Sequence, residues 1–271
     1  MRNTIISFAA FILAAILSGC AGSVDYISLD SYNSPKSYYV PPNGPERIRA
    51  ILKFPEGEGP FPAVVILHTC AGIKDNDKAW EGRFLSWGYA TIMPDSFGPR
   101  GFSNVCGTTK VTSSDRARDA YGALLYLRTH PKIDPNRIGV FGESHGGGGL
   151  LEALDETSET LVPPSGERFG AGVAIYPYCG WQTEIEPNAD LLILVGDKDD
   201  WTPANLCENM VEQIEKLETP FKTELKIYKG ATHSFDINRS PIIYQGHSMR
   251  FSPVATEDAI ARTKRFFEEN L

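Results

Sequence analysis

The apolar run Ile138-Gly139-Val140-Phe141 passes directly into Gly142-Glu143-Ser144-His145-Gly146, followed by more glycine and then leucine. An apolar run that ends in such turn residues reads as a strand covered on both faces. A serine with glycine two positions away on either side reads as a sharp bend from that strand into a helix, because only small neighbours let the backbone double back so tightly. The bland alternative is a glycine-rich turn that serves only close helix–sheet packing.

Elsewhere the chain repeats this alternation. Strands are expected at 48–54, 63–68, 90–94, 138–141, 172–176, 191–195 and 225–228. Between residues 114 and 129, Ala117, Ala120, Tyr121, Leu124 and Leu125 recur at helical spacing, with Ser114 as the expected N-cap. A second helix follows Pro203, with Leu206, Met210, Val211 and Ile214 on one face, and a last one covers 256–270. Strand–helix alternation of this kind implies an α/β fold with a mostly parallel central sheet flanked by helices. Neither an internal repeat nor a second core is visible, so residues 47–271 are read as one domain without a separate lid domain.

At 42% hydrophobic and 22% charged residues the composition is that of a globular chain, which excludes a disordered or multi-span membrane protein. The net charge of −8, without a basic stripe, argues against nucleic acid as a partner. The N-terminus is different in kind. After Arg2, residues 5–17 form an apolar run of thirteen, too short to span a bilayer and the right size for a secretory signal. It ends in Leu17-Ser18-Gly19-Cys20, which resembles the bacterial lipobox. The expectation is therefore a signal peptide over 1–19, lipidation of Cys20, and a polar, proline-bearing tether over 20–46. The protein would be anchored in a bacterial envelope membrane, with Ala21 after the cysteine favouring the periplasmic face of the outer membrane in a Gram-negative cell. An ordinary signal peptide with an incidental cysteine is the alternative.

Ser144 needs a base and an orienting carboxylate, because a hydroxyl alone is a poor nucleophile. In the chain order Ser, acid, His, only His233 and His247 lie far enough downstream. His233, in Gly230-Ala231-Thr232-His233-Ser234-Phe235 just after the 225–228 strand, is preferred; His247 reads as a solvated loop residue. Three carboxylates compete in Gly196-Asp197-Lys198-Asp199-Asp200-Trp201-Thr202-Pro203. Asp199 has the favoured spacing, Asp197 would brace the turn and Asp200 would help position the next helix. For two of the three, a capping or solvated role is expected.

Together, segments 142–147, 196–203 and 230–235 resemble the three catalytic blocks of the dienelactone hydrolase family, and the likeness runs from about residue 48 to 267. The resemblance implies an α/β-hydrolase fold, with Ser144 as nucleophile, His233 as general base and acid, and Asp199 as orienter. It also implies an oxyanion hole from the backbone N–H groups of His145 and of Cys70, the latter in Leu67-His68-Thr69-Cys70-Ala71-Gly72. The family's founding members use a cysteine nucleophile, with a glutamate where Thr69 stands, so this chain is expected to behave more like a serine esterase. Beyond Cys20, the four cysteines Cys70, Cys106, Cys179 and Cys207 allow three pairings, or none if they are free thiols. Strand ends that the family topology brings together favour Cys70–Cys106 and Cys179–Cys207.

Arg100 is a candidate to bind a substrate carboxylate, or else to pair with Asp95 or another loop acid. Tyr176, Tyr178, Trp181, Trp201 and Phe235 flank strand ends; Tyr176, Trp201 and Phe235 are taken as lining residues, although about half of such aromatics should be core. No phosphate loop or zinc spacing is present, so no cofactor or metal is expected. The leading expectation is a serine hydrolase of small or aromatic carboxylic esters or lactones. The alternatives are a peptidase, thioesterase or acyltransferase with the same triad, and a non-catalytic envelope binding or scaffold lipoprotein. Protein partners and oligomeric state are not legible.

Overall fold

A computed structural model describes residues 24–32, 46–158, 161, 163, 166–180 and 185–271. The expected signal peptide, Cys20, Trp181 and most of the tether lie outside these residues. The chain runs β1 (Val24–Asp30), β2 (Arg47–Lys53), β3 (Phe61–Leu67), α1 (Asp75–Ser86), β4 (Ala90–Asp95), α2 (Ser113–Arg128), β5 (Ile133–Glu143), α3 (His145–Ala153), β6 (Ala171–Ile175), β7 (Asp190–Gly196), α4 (Ala204–Ile214), β8 (Thr223–Tyr228), β9 (Ile242–Tyr244), β10 (His247–Met249) and α5 (Pro253–Asn270).

β1 to β8 form one sheet in the order β1-β2-β4-β3-β5-β6-β7-β8. From β4 through β8 neighbours run parallel, while β2 is antiparallel to β4 and to β1. Parallel strands need crossovers, and the helices that provide them cover both faces. One core layer packs α2, α3 and α4 against the sheet through residues such as Tyr121, Leu124, Leu150 and Met210. The other packs α1 and α5 through Trp80, Phe84, Ala259 and Phe267. The central strands β3, β6 and β7, and β5 from Ile138 onward, are therefore buried on both faces, as their apolar runs require.

Three local readings are corrected. Val24–Asp30, expected as part of the tether, is the edge strand β1, paired with β2 over its full length and burying Leu29. The N-cap of α2 is Thr112, not Ser114: the Thr112 side chain accepts from the Asp115 N–H, and the Asp115 carboxylate accepts in return. Finally, α1 and the small β9–β10 hairpin are additional elements. The described helices include none long and apolar enough to cross a membrane.

Candidate active site

Ser144 stands between β5 and α3 with φ 52° and ψ −116°, a conformation that L-residues rarely hold. The glycines explain how the chain fits there. A Cβ on Gly142 would strike the Gly146 carbonyl, and one on Gly146 would strike the Leu67 carbonyl at the end of β3. Of the other described non-glycine residues with positive φ, Tyr176 and Ser234 lie beside the same bend, whereas Gln245 sits in the turn between β9 and β10. Strain gathered in one place is characteristic of a functional site.

The strand ends bring the predicted side chains together. The Ser144 hydroxyl donates to His233 Nε2 at 2.9 Å, and His233 Nδ1–H donates to Asp199 Oδ2 at 2.8 Å. All three residues are buried, Ser144 being 8% exposed. Asp199 is itself held: its Oδ1 accepts from the Trp201 and Thr202 N–H groups at 3.0 and 2.7 Å, and the Thr202 hydroxyl donates to Oδ2 at 2.8 Å. The turn is thus capped by the same carboxylate that meets the imidazole. β7 and the His233 loop can approach this closely because Gly196 lacks a Cβ, which would collide with the Ala231 carbonyl.

The neighbouring acids take other work. Asp197 accepts from the Gly230 N–H at 2.6 Å and so braces the turn, as expected. Asp200 accepts from the Ser248 N–H at 3.2 Å and pairs with His247 Nδ1 at 3.4 Å, anchoring β10 where helix positioning was expected. His247 is correspondingly not a free loop residue: its ring stacks on Trp201 at 4.7 Å and 11°.

Cys70 and Ser144 line the same cavity, and the N–H of His145 opens α3, where no intrahelical acceptor exists. Cys70 is joined to Cys106, and Cys179 to Cys207, with Cα separations of 4.8 and 5.0 Å. Below the Cys70 loop, His68 Nδ1–H donates to the Thr69 carbonyl at 2.9 Å and Nε2 accepts from the Ser96 N–H at 3.3 Å. Burial, reinforced by the Arg116 guanidinium, lowers the His68 pKa well below the usual range, so the ring stays neutral. Arg116 is buried and donates to the His68 carbonyl at 2.8 Å. The His145 ring, with a pKa pushed down to about 4 by burial and by Arg116, donates through Nε2 to the Val111 carbonyl at 3.0 Å.

The cleft has two lobes that meet at Cys70, Ser144 and Trp201. One, of about 310 Å³, is walled by uncharged groups including Val105, Thr108, Thr109 and Tyr178. The other, of about 370 Å³, carries Lys74, Asn76, Arg239 and Tyr244 as well as His233. Trp201 is the expected lining residue found in place. The other three are corrected. Arg100 is held bidentate by buried Asp119, at 2.7 and 3.0 Å, and by Glu46 at 2.7 Å, so its guanidinium has no free edge for substrate. Burial opposes its charge, but the two acids outweigh that and raise its pKa. Tyr176 and Phe235 are fully buried and lie in the core beside Tyr228, their rings 5.5 Å apart.

The sequence matches the dienelactone hydrolase family over residues 48–271. The chain belongs to that family. A dienelactone hydrolase from Anabaena variabilis is similar in fold, with a TM-score of 0.64 and 18% identity over 92% of this chain and 99% of the other. Thermogutta terrifontis esterase 2, solved phosphorylated by paraoxon, has a TM-score of 0.62 and 17% identity over 92% of this chain and 94% of the other. A Bradyrhizobium protein described as a probable 2-oxo-3-(5-oxofuran-2-ylidene)propanoate lactonase is 26% identical over 202 residues, 71% of this chain and 80% of that one.

In this dienelactone hydrolase family member, sequence reasoning missed Thr202, Asn76, Glu143 and Asp236. Thr202 was legible in principle, because Asp-x-x-Thr at a turn is a capping pattern. The others act through contacts between residues 33 or more apart in sequence, such as Glu143–Tyr176, Asn76–Glu143 and Tyr176–Asp236, which no local pattern announces. Among the described residues there is no cluster of His, Cys, Asp and Glu that could hold a metal ion.

Proposed function

We propose that the chain hydrolyses carboxylic esters or lactones of modest size through an acyl-enzyme on Ser144. The observation that carries this is the continuous hydrogen-bonded chain from Asp199 through His233 to a hydroxyl at a strained, cleft-facing bend. Ser144 Oγ attacks the ester carbonyl as its proton passes to His233 Nε2, while Asp199 holds the ring in the Nδ1–H tautomer and stabilises the imidazolium. The N–H groups of Cys70 and His145 are assigned to the developing oxyanion; as backbone dipoles fixed by a disulfide and a helix start, they need no reorganisation during the reaction. His233 then returns the proton to the leaving alcohol, and water repeats the cycle on the acyl group to release the acid and restore Ser144. Cavities of about 310 and 370 Å³ suit short or aromatic esters better than long acyl chains.

Family membership supports ester chemistry, and the lactonase-like relative supports including lactones. A panel of acetyl, butyryl, phenyl and lactone substrates, run with and without alcohol or amine acceptors, tests the reading. Turnover of short esters to the free acid is expected; exclusive acyl transfer, or cleavage of peptides alone, would replace it with another reaction of the same residues. Envelope anchoring through acylated Cys20 belongs to the same proposal. It is supported by Leu17-Ser18-Gly19-Cys20 and by disulfides, which persist in oxidising compartments. Mass spectrometry of the mature N-terminus tests it: a diacylglyceryl adduct on Cys20 is expected, and an unmodified Cys20 would contradict it.

A further inference from the structure

Beneath Ser144 lies a buried polar chain that the steps above do not use. The Tyr176 hydroxyl is 2.7 Å from Glu143 Oε1 and 2.7 Å from Asp236 Oδ1. Asp236 Oδ2 also accepts from the Trp80 indole N–H at 2.8 Å, and both Glu143 oxygens accept from the Asn76 amide at 3.2 Å. A phenol has one proton and can donate to one carboxylate only. With both carboxyls ionised, one of the two 2.7 Å approaches would set a carboxylate lone pair against a phenol lone pair in a buried site. Both contacts are hydrogen bonds only when one carboxyl keeps its own proton and gives it to the phenol oxygen.

The surroundings select which one. Glu143 is fully buried and is faced by Asn76 and Asp77 from α1, by Tyr176 after β6 and by Asp236 from the His233 loop; none of these is a cation. Each carboxyl has one further donor, Trp80 for Asp236 and Asn76 for Glu143, so burial decides: Asp236 is only half-buried. Burial first, then the charges of Asp236 and Asp77, raise the Glu143 pKa well above the ordinary carboxyl range.

We propose that Glu143 is a positioning residue that acts as a neutral acid, its proton closing the chain Glu143–Tyr176–Asp236 that locks the Ser144 bend to the His233 loop. Glu143 directly precedes Ser144, and Asp236 follows His233 by three residues. Between them, the Tyr176 ring packs against the His233 ring at 4.8 Å, and its carbonyl lies 3.1 Å from the Thr202 hydroxyl that supports Asp199. Loss of the proton leaves two anions competing for one phenol and pushes the Asp236 segment, and with it His233, away from Ser144. The inference rests on the Ser144–His233 reading for its catalytic consequence and not for the proton itself.

Glu143→Gln is the direct test, because the amide N–H can replace the acid O–H toward Tyr176 and its carbonyl can still accept from Asn76, with nothing left to titrate. Because the folded pKa is raised, the wild-type contribution to stability is complete below the unfolded carboxyl pKa of about 4.3 and is lost as pH rises through the folded value. The melting temperature of Glu143→Gln minus that of wild type should therefore grow from about pH 5 upward. At neutral pH the variant should keep kcat within about threefold of wild type, and the alkaline fall in wild-type kcat should move up or vanish. Tyr176→Phe, which breaks both links, should lower kcat with little change in KM. The infrared spectrum of wild type should show a protonated carboxyl band at neutral pH that titrates away on the alkaline side. A melting difference that is flat with pH, or no such band in wild type, would overturn the proton assignment whatever the reaction proves to be. A kcat insensitive to Tyr176→Phe would overturn the positioning role alone.

Discussion

At the scale of single residues, Asp199 is placed so that one side chain can serve both the turn and the proposed chemistry. Its Oδ1 caps the turn that leads into α4, and its Oδ2 meets His233. The sequence offered capping and catalysis as competing readings of the acid cluster, and Asp199 makes the contacts that each would require. Asp199→Asn keeps the capping acceptor but favours the wrong imidazole tautomer, so kcat should fall by about 10³–10⁴-fold. Asp197→Asn touches only the Gly230 brace and should change kcat by less than about tenfold. Steady-state kinetics on a short ester checks both; the reverse ranking would move the acid to Asp197. Removing the Thr202 hydroxyl leaves Asp199 Oδ2 one donor short, so Thr202→Val should cost about 1–3 kcal/mol of transition-state stabilisation, with Thr202→Ser restoring most of it. The strained Ser144 gives a stability contrast as well. Ser144→Gly should melt above Ser144→Ala, by about 1 kcal/mol in stability, because glycine holds φ 52° without a Cβ penalty.

Among the elements, those that announce themselves in sequence are the ones buried on two faces. β3, β5, β6 and β7 lie where the unbroken apolar runs place them, and α2 where helical spacing places it. What escaped is half-exposed or short. β1 alternates Ile27 and Leu29 with polar residues in a proline-rich neighbourhood, α1 buries little more than Trp80 and Phe84 among apolar groups on a charged sequence, and β9 and β10 have three residues each. The start of β5 runs through Asp134-Pro135-Asn136-Arg137, which has no apolar signal, so its 11-residue length was not visible. The site followed the same rule. Ser144, Asp199 and His233 sit in local motifs that follow strands, whereas Glu143, Asn76 and Asp236 work through contacts that only the fold creates. Cys70–Cys106 ties the Cys70 loop to the segment that Gln245 of the hairpin turn also reaches, through the Cys106 carbonyl at 3.3 Å. Closing a loop across a separation of 36 residues contributes about 3–4 kcal/mol in the chain-entropy account. Cys70→Ala/Cys106→Ala should therefore lower the melting temperature and, by loosening the Cys70 N–H, lower kcat more than it raises KM. Unchanged kcat in the folded variant would remove that loop from the oxyanion site.

For the whole molecule, the boundary of the folded unit lies upstream of the position suggested by the family-like segment. β1 completes the sheet by pairing residues 24–30 with residues 47–53. A chain starting at residue 24 should retain the full-length kcat/KM on soluble esters, with its sheet intact. A chain starting at residue 47 exposes the β2 edge and loses the burial of Leu29, so it should melt lower and aggregate more readily. Thermal unfolding and size-exclusion chromatography of the two truncations distinguish them; equal melting temperatures would make β1 an accessory strand. The cleft opens where the carboxyl ends of β3, β5, β6, β7 and β8 converge, which is where an open α/β sheet offers a crevice to ligands.

The most direct check of the Ser144 nucleophile is intact-protein and peptide mass spectrometry after exposure to a fluorophosphonate. A single covalent adduct on the peptide containing Ser144 is expected in wild type, none in Ser144→Ala, and adduct formation slowed by at least about 10³-fold in His233→Asn. An adduct on another residue, or ester hydrolysis at the wild-type rate by Ser144→Ala, would contradict the account.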